Sequence, residues 1–152
     1  MHAIDHDSVI ANWIGVRQQG TRSVNIERDL GIQDLAQSYV LTAQGRQSLA
    51  RILEKSTGQG AVRAWTLTGP YGTGKSYFSL FLMNLLSSSL ETHALTIEQL
   101  RRVDKELAHS VVTAARLDEC KGYLPIAMTG YRAPIQDCLR TGLLKELQAH
   151  AH

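Results

Sequence analysis

The sequence predicts an α/β chain, a small parallel sheet flanked by helices, and three observations carry that expectation. Two short runs, "VRAWTLT" at 62–68 and "YLPIAMT" at 123–129, are apolar and bounded by glycines, as buried strands are. The stretch between them repeats its apolar residues at helical spacing. From residue 62 onward the order is strand, helix, helix, strand, helix, and such alternation favours parallel strands joined by helical crossovers.

Taken in order, Val9, Ile10, Trp13 and Ile14 fall on one side of a first helix that Asp7 is placed to cap. "QQGTRS" is turn-prone, and "VNIERDLGIQDLAQSYVL" has mixed periodicity that assigns neither helix nor strand. Residues 1–38 therefore read as a helical or irregular N-terminal segment, and 39–152 as a separate unit. Thr42 caps a helix through Lys55 whose inner face is Leu49, Ile52 and Leu53, and "STGQG" ends it. After the first strand, residues 75–90 are apolar nearly all round, with Tyr77, Phe78, Leu80, Phe81, Leu82, Met83, Leu85 and Leu86, so that helix is expected to be buried. Thr96 and Gln99 have capping-box spacing for a helix running to Leu117. Ile97, Leu100, Leu107, Val111 and Leu117 form its apolar side, while Arg101, Arg102, Lys105 and Glu106 face out. Pro134 suits the first turn of a last helix with Ile135, Cys138, Leu139, Leu143 and Leu147 on the apolar side. Trp13 and Trp65 are expected in the core.

Composition narrows the function classes. The 152 residues are 43% hydrophobic and 20% charged, a soluble globular balance. A net charge of +2 provides no basic field for nucleic acid or an anionic membrane. Cys120 and Cys138 lie far apart in sequence and read as reduced core thiols. The acidic start "MHAIDHDSVI" lacks the apolar heart of a secretion signal, and 77–86 is too short and too interrupted to span a membrane. A cytoplasmic location follows by default.

The chemistry concentrates at Gly69, Pro70, Tyr71, Gly72, Thr73, Gly74, Lys75 and Ser76, which fit G-x-x-x-x-G-K-[ST] between a strand and a helix. For this composition a chance match has a probability of about half a percent. A polyphosphate needs backbone N–H groups turned inward around it, and glycines permit the angles and the close approach. The following helix adds unpaired N–H groups and the positive end of its dipole. Lys75 is placed to reach the β- and γ-phosphates of ATP, and Ser76 offers a hydroxyl to Mg²⁺.

Residues 65–86 resemble the P-loop, or Walker A segment, of AAA+-like and STAND-like ATPases, the branch with an additional strand between the Walker A and Walker B strands. "YVLTAQGRQSLARIL" and "YLPIAMTGYRAPIQDCLRTGLLKEL" are similar to the start of large bacterial ATPases often associated with phage defence. The resemblance implies ATP and Mg²⁺ as ligands, with an aspartate and a glutamate ending a downstream apolar strand to hold the metal and orient water. The adjacent pair Asp118-Glu119 follows "VVTAAR", where Arg116 interrupts the apolar run and helical periodicity continues, so it reads as a helix end. The expectation is an incomplete P-loop NTPase, the N-terminal piece of a longer ATPase by truncation or gene disruption. It would bind Mg·ATP, hydrolyse poorly alone and, with sheet edges unpaired, associate into homo-oligomers or a larger complex.

Other residues stay open. Arg132 follows the second strand, where it either approaches a phosphate or partner subunit or is a solvated loop charge. Tyr39 and Val40 either pack in the core or cover the adenine ring, as their counterparts do in the ATPases resembled. His150 and His152 read as frayed and solvated. Two rival functions remain: a nucleotide-kinase-type phosphotransferase, and a non-catalytic interaction module that keeps the fold.

Overall fold

A computed structural model describes residues 23–56, 62, 64–87, 91–114 and 122–150, and among them the chain is helical. The helices are α1 (Ile26–Asp29), α2 (Gln33–Ser38), α3 (Ala43–Ser56), α4 (Lys75–Leu86), α5 (His93–Val103), α6 (Lys105–Ala114) and α7 (Ile135–His150). The core is built by α3 to α6. Leu49, Ile52 and Leu53 of α3 meet Phe78, Phe81 and Leu85 of α4, Ile97 and Leu100 of α5, and Leu107, Ala108 and Val111 of α6. Each set recurs at three- and four-residue intervals, so one face of each helix turns inward. At the centre α4 is enclosed most fully, as its all-round apolar pattern predicts, with Phe81 and Leu85 at 1% and 0% exposure.

Buried polar groups join α4 to α5. The Asn84 amide donates to the Leu80 carbonyl at 2.8 Å, and its Oδ1 accepts the Thr92 hydroxyl. The Thr96 hydroxyl donates to the Thr92 carbonyl at 2.8 Å. Inside a core an unmade hydrogen bond costs more than a made one contributes, so this mutual satisfaction permits polar residues there. The stretch of mixed periodicity becomes α1 and α2. Asp29, 1% exposed, accepts Arg28 Nε at 2.7 Å and Nη2 at 2.9 Å. That fork raises the guanidinium pKa, chiefly through the hydrogen bond to Asp29.

The predicted α/β architecture, and with it the incomplete P-loop NTPase sheet, is corrected. Among the described residues no sheet forms: pairing is confined to an isolated antiparallel bridge between Ser87 and Gly122. Residues 64–70 and 123–130 carry no regular secondary structure. All of 64–70 are exposed, including Trp65 at 43%, which was expected in the core. A strand is held by lateral hydrogen bonds to neighbours, and two short strands without a third and a covering layer do not make a stable sheet. The residue pattern states that a run suits a strand, not that another run lies beside it.

The single helix expected over 96–117 is two. It breaks at Asp104, and α5 starts earlier, with Thr92 at its N-cap position and Thr96 inside the helix. Asp104 is the C-cap of α5, and its carboxylate accepts the Leu107 N–H at 2.9 Å, capping α6. Arg46 of α3 reaches the same carboxylate at 3.3 Å. Thr42 does cap α3, accepting the Gly45 N–H at 3.1 Å. In α7, Pro134 precedes the helix as expected, yet of its predicted apolar side only Cys138 is buried, while Ile135, Leu139, Leu143 and Leu147 are exposed. Trp13, Cys120, Asp118, Glu119 and His152 lie outside the described residues.

The Asp104 carboxyl lies below its ordinary pKa, first because of the Leu107 N–H and then because of Arg46. A depressed carboxylate pKa contributes stability that is present above the unfolded-state value and lost as pH falls through the folded one. Asp104→Ala is expected to lower stability at pH 7 by about 1 kcal/mol, the usual cost of a lost cap. Denaturant melts at pH 7 and pH 3 check this: the deficit should shrink in acid, whereas Asp104→Asn should retain most of the cap at both.

Candidate functional site

The glycine-rich loop hangs from the buried α4. Gly72 and Gly74 have φ of +82° and +81°, in the left-handed region where a Cβ is strained. These two reversals turn the chain from the irregular residues 64–68 into the first turn of α4, with Gly74 at the N-cap position and its carbonyl accepting the Phe78 N–H at 2.9 Å. A helix start leaves its first N–H groups without intrahelical partners. The loop therefore presents amides next to the positive end of a helix that the core holds still.

Lys75 folds back over the loop. Its Nζ donates to the carbonyls of Gly69 at 2.9 Å and Pro70 at 2.7 Å, and it lies 3.4 Å from Thr73 Oγ1. The Thr73 hydroxyl in turn donates to the Pro70 carbonyl at 2.9 Å. The ammonium thus sits within the bend of the loop, satisfied by acceptors that an anion's oxygens could replace. Ser76 is exposed on the first turn of α4. Tyr71, at 95% exposure, is the tip of the loop, with its hydroxyl 3.4 Å from Ser23 Oγ.

A cavity of about 360 Å³ opens beside the loop, within the size range of small-ligand sites. Gly69, Pro70, Thr73, Gly74 and Lys75 of the loop line it together with Thr42 and with Gln44, Gly45 and Ser48 from the start of α3. Tyr39 and Phe78 line it as well. The Tyr39 ring packs on Phe81 with centroids 4.9 Å apart, and burial pushes its hydroxyl pKa up. Tyr39 is thus both core and cavity wall. Val40, considered with it for the same role, is 77% exposed and lines a different hollow.

Of the sequence-predicted residues, the structure brings Gly69, Pro70, Thr73, Gly74 and Lys75 together around the cavity, while Tyr71, Gly72 and Ser76 belong to the loop without lining it. Arg132 is exposed and does not line the cavity. Sequence reasoning missed Gln44 and Ser48. Their spacing of four places them on one face of the helix that Thr42 caps, a signal visible in the sequence but without direction until the loop is set against α3.

Other hollows carry less chemistry. A groove of about 510 Å³ between α3 and α6 shows Glu54 and His109 but no third ligating group. Among the described residues no cluster of three or more His, Cys, Asp or Glu is arranged to hold a metal. No helix among them is long and apolar enough to cross a membrane. The chain matches no family model, and comparison with curated proteins and with solved structures finds no match to either.

At Gly74 a Cβ would meet nothing within 4 Å, so a substitution there tests backbone strain alone. Gly74→Ala is expected to cost about 1–2 kcal/mol, the penalty of placing an L-residue in the left-handed region. A urea titration against the parent chain measures it.

Proposed function

We propose that the chain binds a nucleoside triphosphate, ATP with Mg²⁺, through residues 69–76. The observation that carries this reading is the position of Lys75 Nζ, held by the Gly69 and Pro70 carbonyls at the edge of a ligand-sized cavity. Phosphate oxygens offer an ammonium stronger, charge-assisted hydrogen bonds than neutral carbonyls do. Exchange of one set for the other turns the lysine from a brace of the loop into a phosphate contact. The amides of the loop and of the first turn of α4 add donors on the same side. The Ser76 hydroxyl is a hard oxygen ligand of the kind Mg²⁺ takes, and with the metal bound the triphosphate's charge would be partly neutralised.

The cavity suits the nucleoside end of the same ligand. Tyr39 and Phe78 contribute apolar lining, and Thr42, Gln44 and Ser48 contribute hydrogen-bonding groups to the same cavity. Binding is the activity proposed. Residues 69–76 contain no carboxylate to orient an attacking water, so the loop supplies the cradle and not the base.

Thermal melting with and without Mg·ATP tests the reading. A ligand that binds only the folded chain should add about 2.7 kcal/mol of stability at a hundred times its dissociation constant. Lys75→Ala should weaken Mg·ATP by about 1.5–3 kcal/mol, the worth of a charged hydrogen bond, in titration calorimetry. Gln44→Ala should weaken ATP and leave inorganic tripolyphosphate unaffected. Absence of stabilisation by Mg·ATP, or equal affinity in the Lys75 variant, would overturn the proposal.

A further inference from the structure

Tyr39 lines the cavity beside the loop, and three separate helices fix its place. Its ring rests on Phe81 of α4, with centroids 4.9 Å apart and planes tilted by 37°. Its hydroxyl lies over the first turn of α3. A Cβ added to Gly45 there would stand 2.9 Å from the phenol oxygen and 3.1 Å from Leu41. Real Cβ atoms essentially never come so close to another heavy atom, so the ring keeps this position because residue 45 is glycine.

The Tyr39 carbonyl is held from α5. Tyr39 is the C-cap of α2, and the last carbonyls of a helix lack partners within it. The Gln99 side chain supplies one: its Nε2 donates to the Tyr39 carbonyl and stands 3.5 Å from that of Gln37. The other end of the same amide is in the opposite condition. Gln99 Oε1 is buried and, among the described residues, accepts no hydrogen bond. An orphaned acceptor counts against the fold, and an apolar side chain of the same length would fill the place without one. What the amide adds, and an apolar chain cannot, is a directed hold on the backbone at Tyr39.

We infer that Gln99 and Gly45 are positioning residues of the nucleotide cavity and act through Tyr39, one anchoring its carbonyl and the other leaving room for its hydroxyl. The inference rests on the nucleotide reading of that cavity. Gln99 does not itself line the cavity, so it has no ligand contact of its own to lose. The effect of both residues falls on the nucleoside end of the ligand, which Tyr39 borders, and not on phosphates held at 69–76.

Titration calorimetry of the 152-residue chain with Mg·ATP and with inorganic tripolyphosphate tests this. Gln99→Met keeps the length of the side chain and removes the amide. Gly45→Ala keeps the helix, which alanine favours, and displaces the phenol. Each is expected to weaken Mg·ATP by at least about fivefold, the lower end of coupling between separate positions, and to leave tripolyphosphate within about twofold. In a chain carrying Tyr39→Leu, which has no phenol to position, neither substitution should weaken Mg·ATP further. Gly45→Ala keeps the inference falsifiable if Gln99→Met misfolds. Equal losses for both ligands, no loss, or losses that persist unchanged beside Tyr39→Leu overturn it. A parent chain that fails to bind Mg·ATP overturns the nucleotide reading itself, and this inference with it.

Discussion

The structure depends on the burial of α4. Its apolar residues extend around most of the helix, so it is stable only when enclosed; α5, α1 and α2 pack directly on it, and its inner face joins those of α3, α5 and α6 in one core. Phe81 and Leu85 have essentially no exposed surface. The Asn84 and Thr92 pair then orients α5 against the end of α4, because each leaves a buried polar atom unsatisfied if the other moves. A helix fixed in this way holds its N-terminus fixed as well. The position of Gly74 and Lys75 is therefore a consequence of core packing at the far side of the same helix.

That rigidity gives the loop its chemical character. Loops without a fixed base place donors poorly, whereas this one begins and ends at defined points, with left-handed turns at Gly72 and Gly74. Lys75 satisfies its ammonium locally, on carbonyls of Gly69 and Pro70. An anionic ligand must offer better acceptors than these, and a polyphosphate does. The start of α3, with Tyr39 anchored on Phe81, contributes cavity lining for which the loop alone contains no information.

The rest of the chain is organised more openly. Residues 64–70 are all on the surface, with Trp65 and Leu67 half-exposed, 123–130 are partly so, and α7 keeps an apolar row in solvent. The fold thus has a packed side, α3 to α6, and a side where apolar groups lack cover. Glu27 tethers residues 123–130 to α1 by accepting the Thr129 N–H, and the Ser87–Gly122 bridge anchors their start. Such contacts position a segment without supplying the lateral ladder that would make it a strand.

What residue order determined by itself is local. The periodicity of α3, α4 and α7, the Thr42 cap, and the glycine turn that opens α4 follow from backbone preferences and short-range spacing, and each is found where the pattern places it, although the strand expected before that turn is not. Tertiary structure decided everything that depends on a neighbour. It decided that "VRAWTLT" and "YLPIAMT" stay unpaired, that α7 turns its leucines outward, and that Asp104 ends one helix and starts another with help from Arg46. It also brought Gln44 and Ser48 to the cavity that the loop lines. Side-chain spacing encodes which face of an element is apolar. Which surface that face meets depends on contacts between residues far apart in the chain.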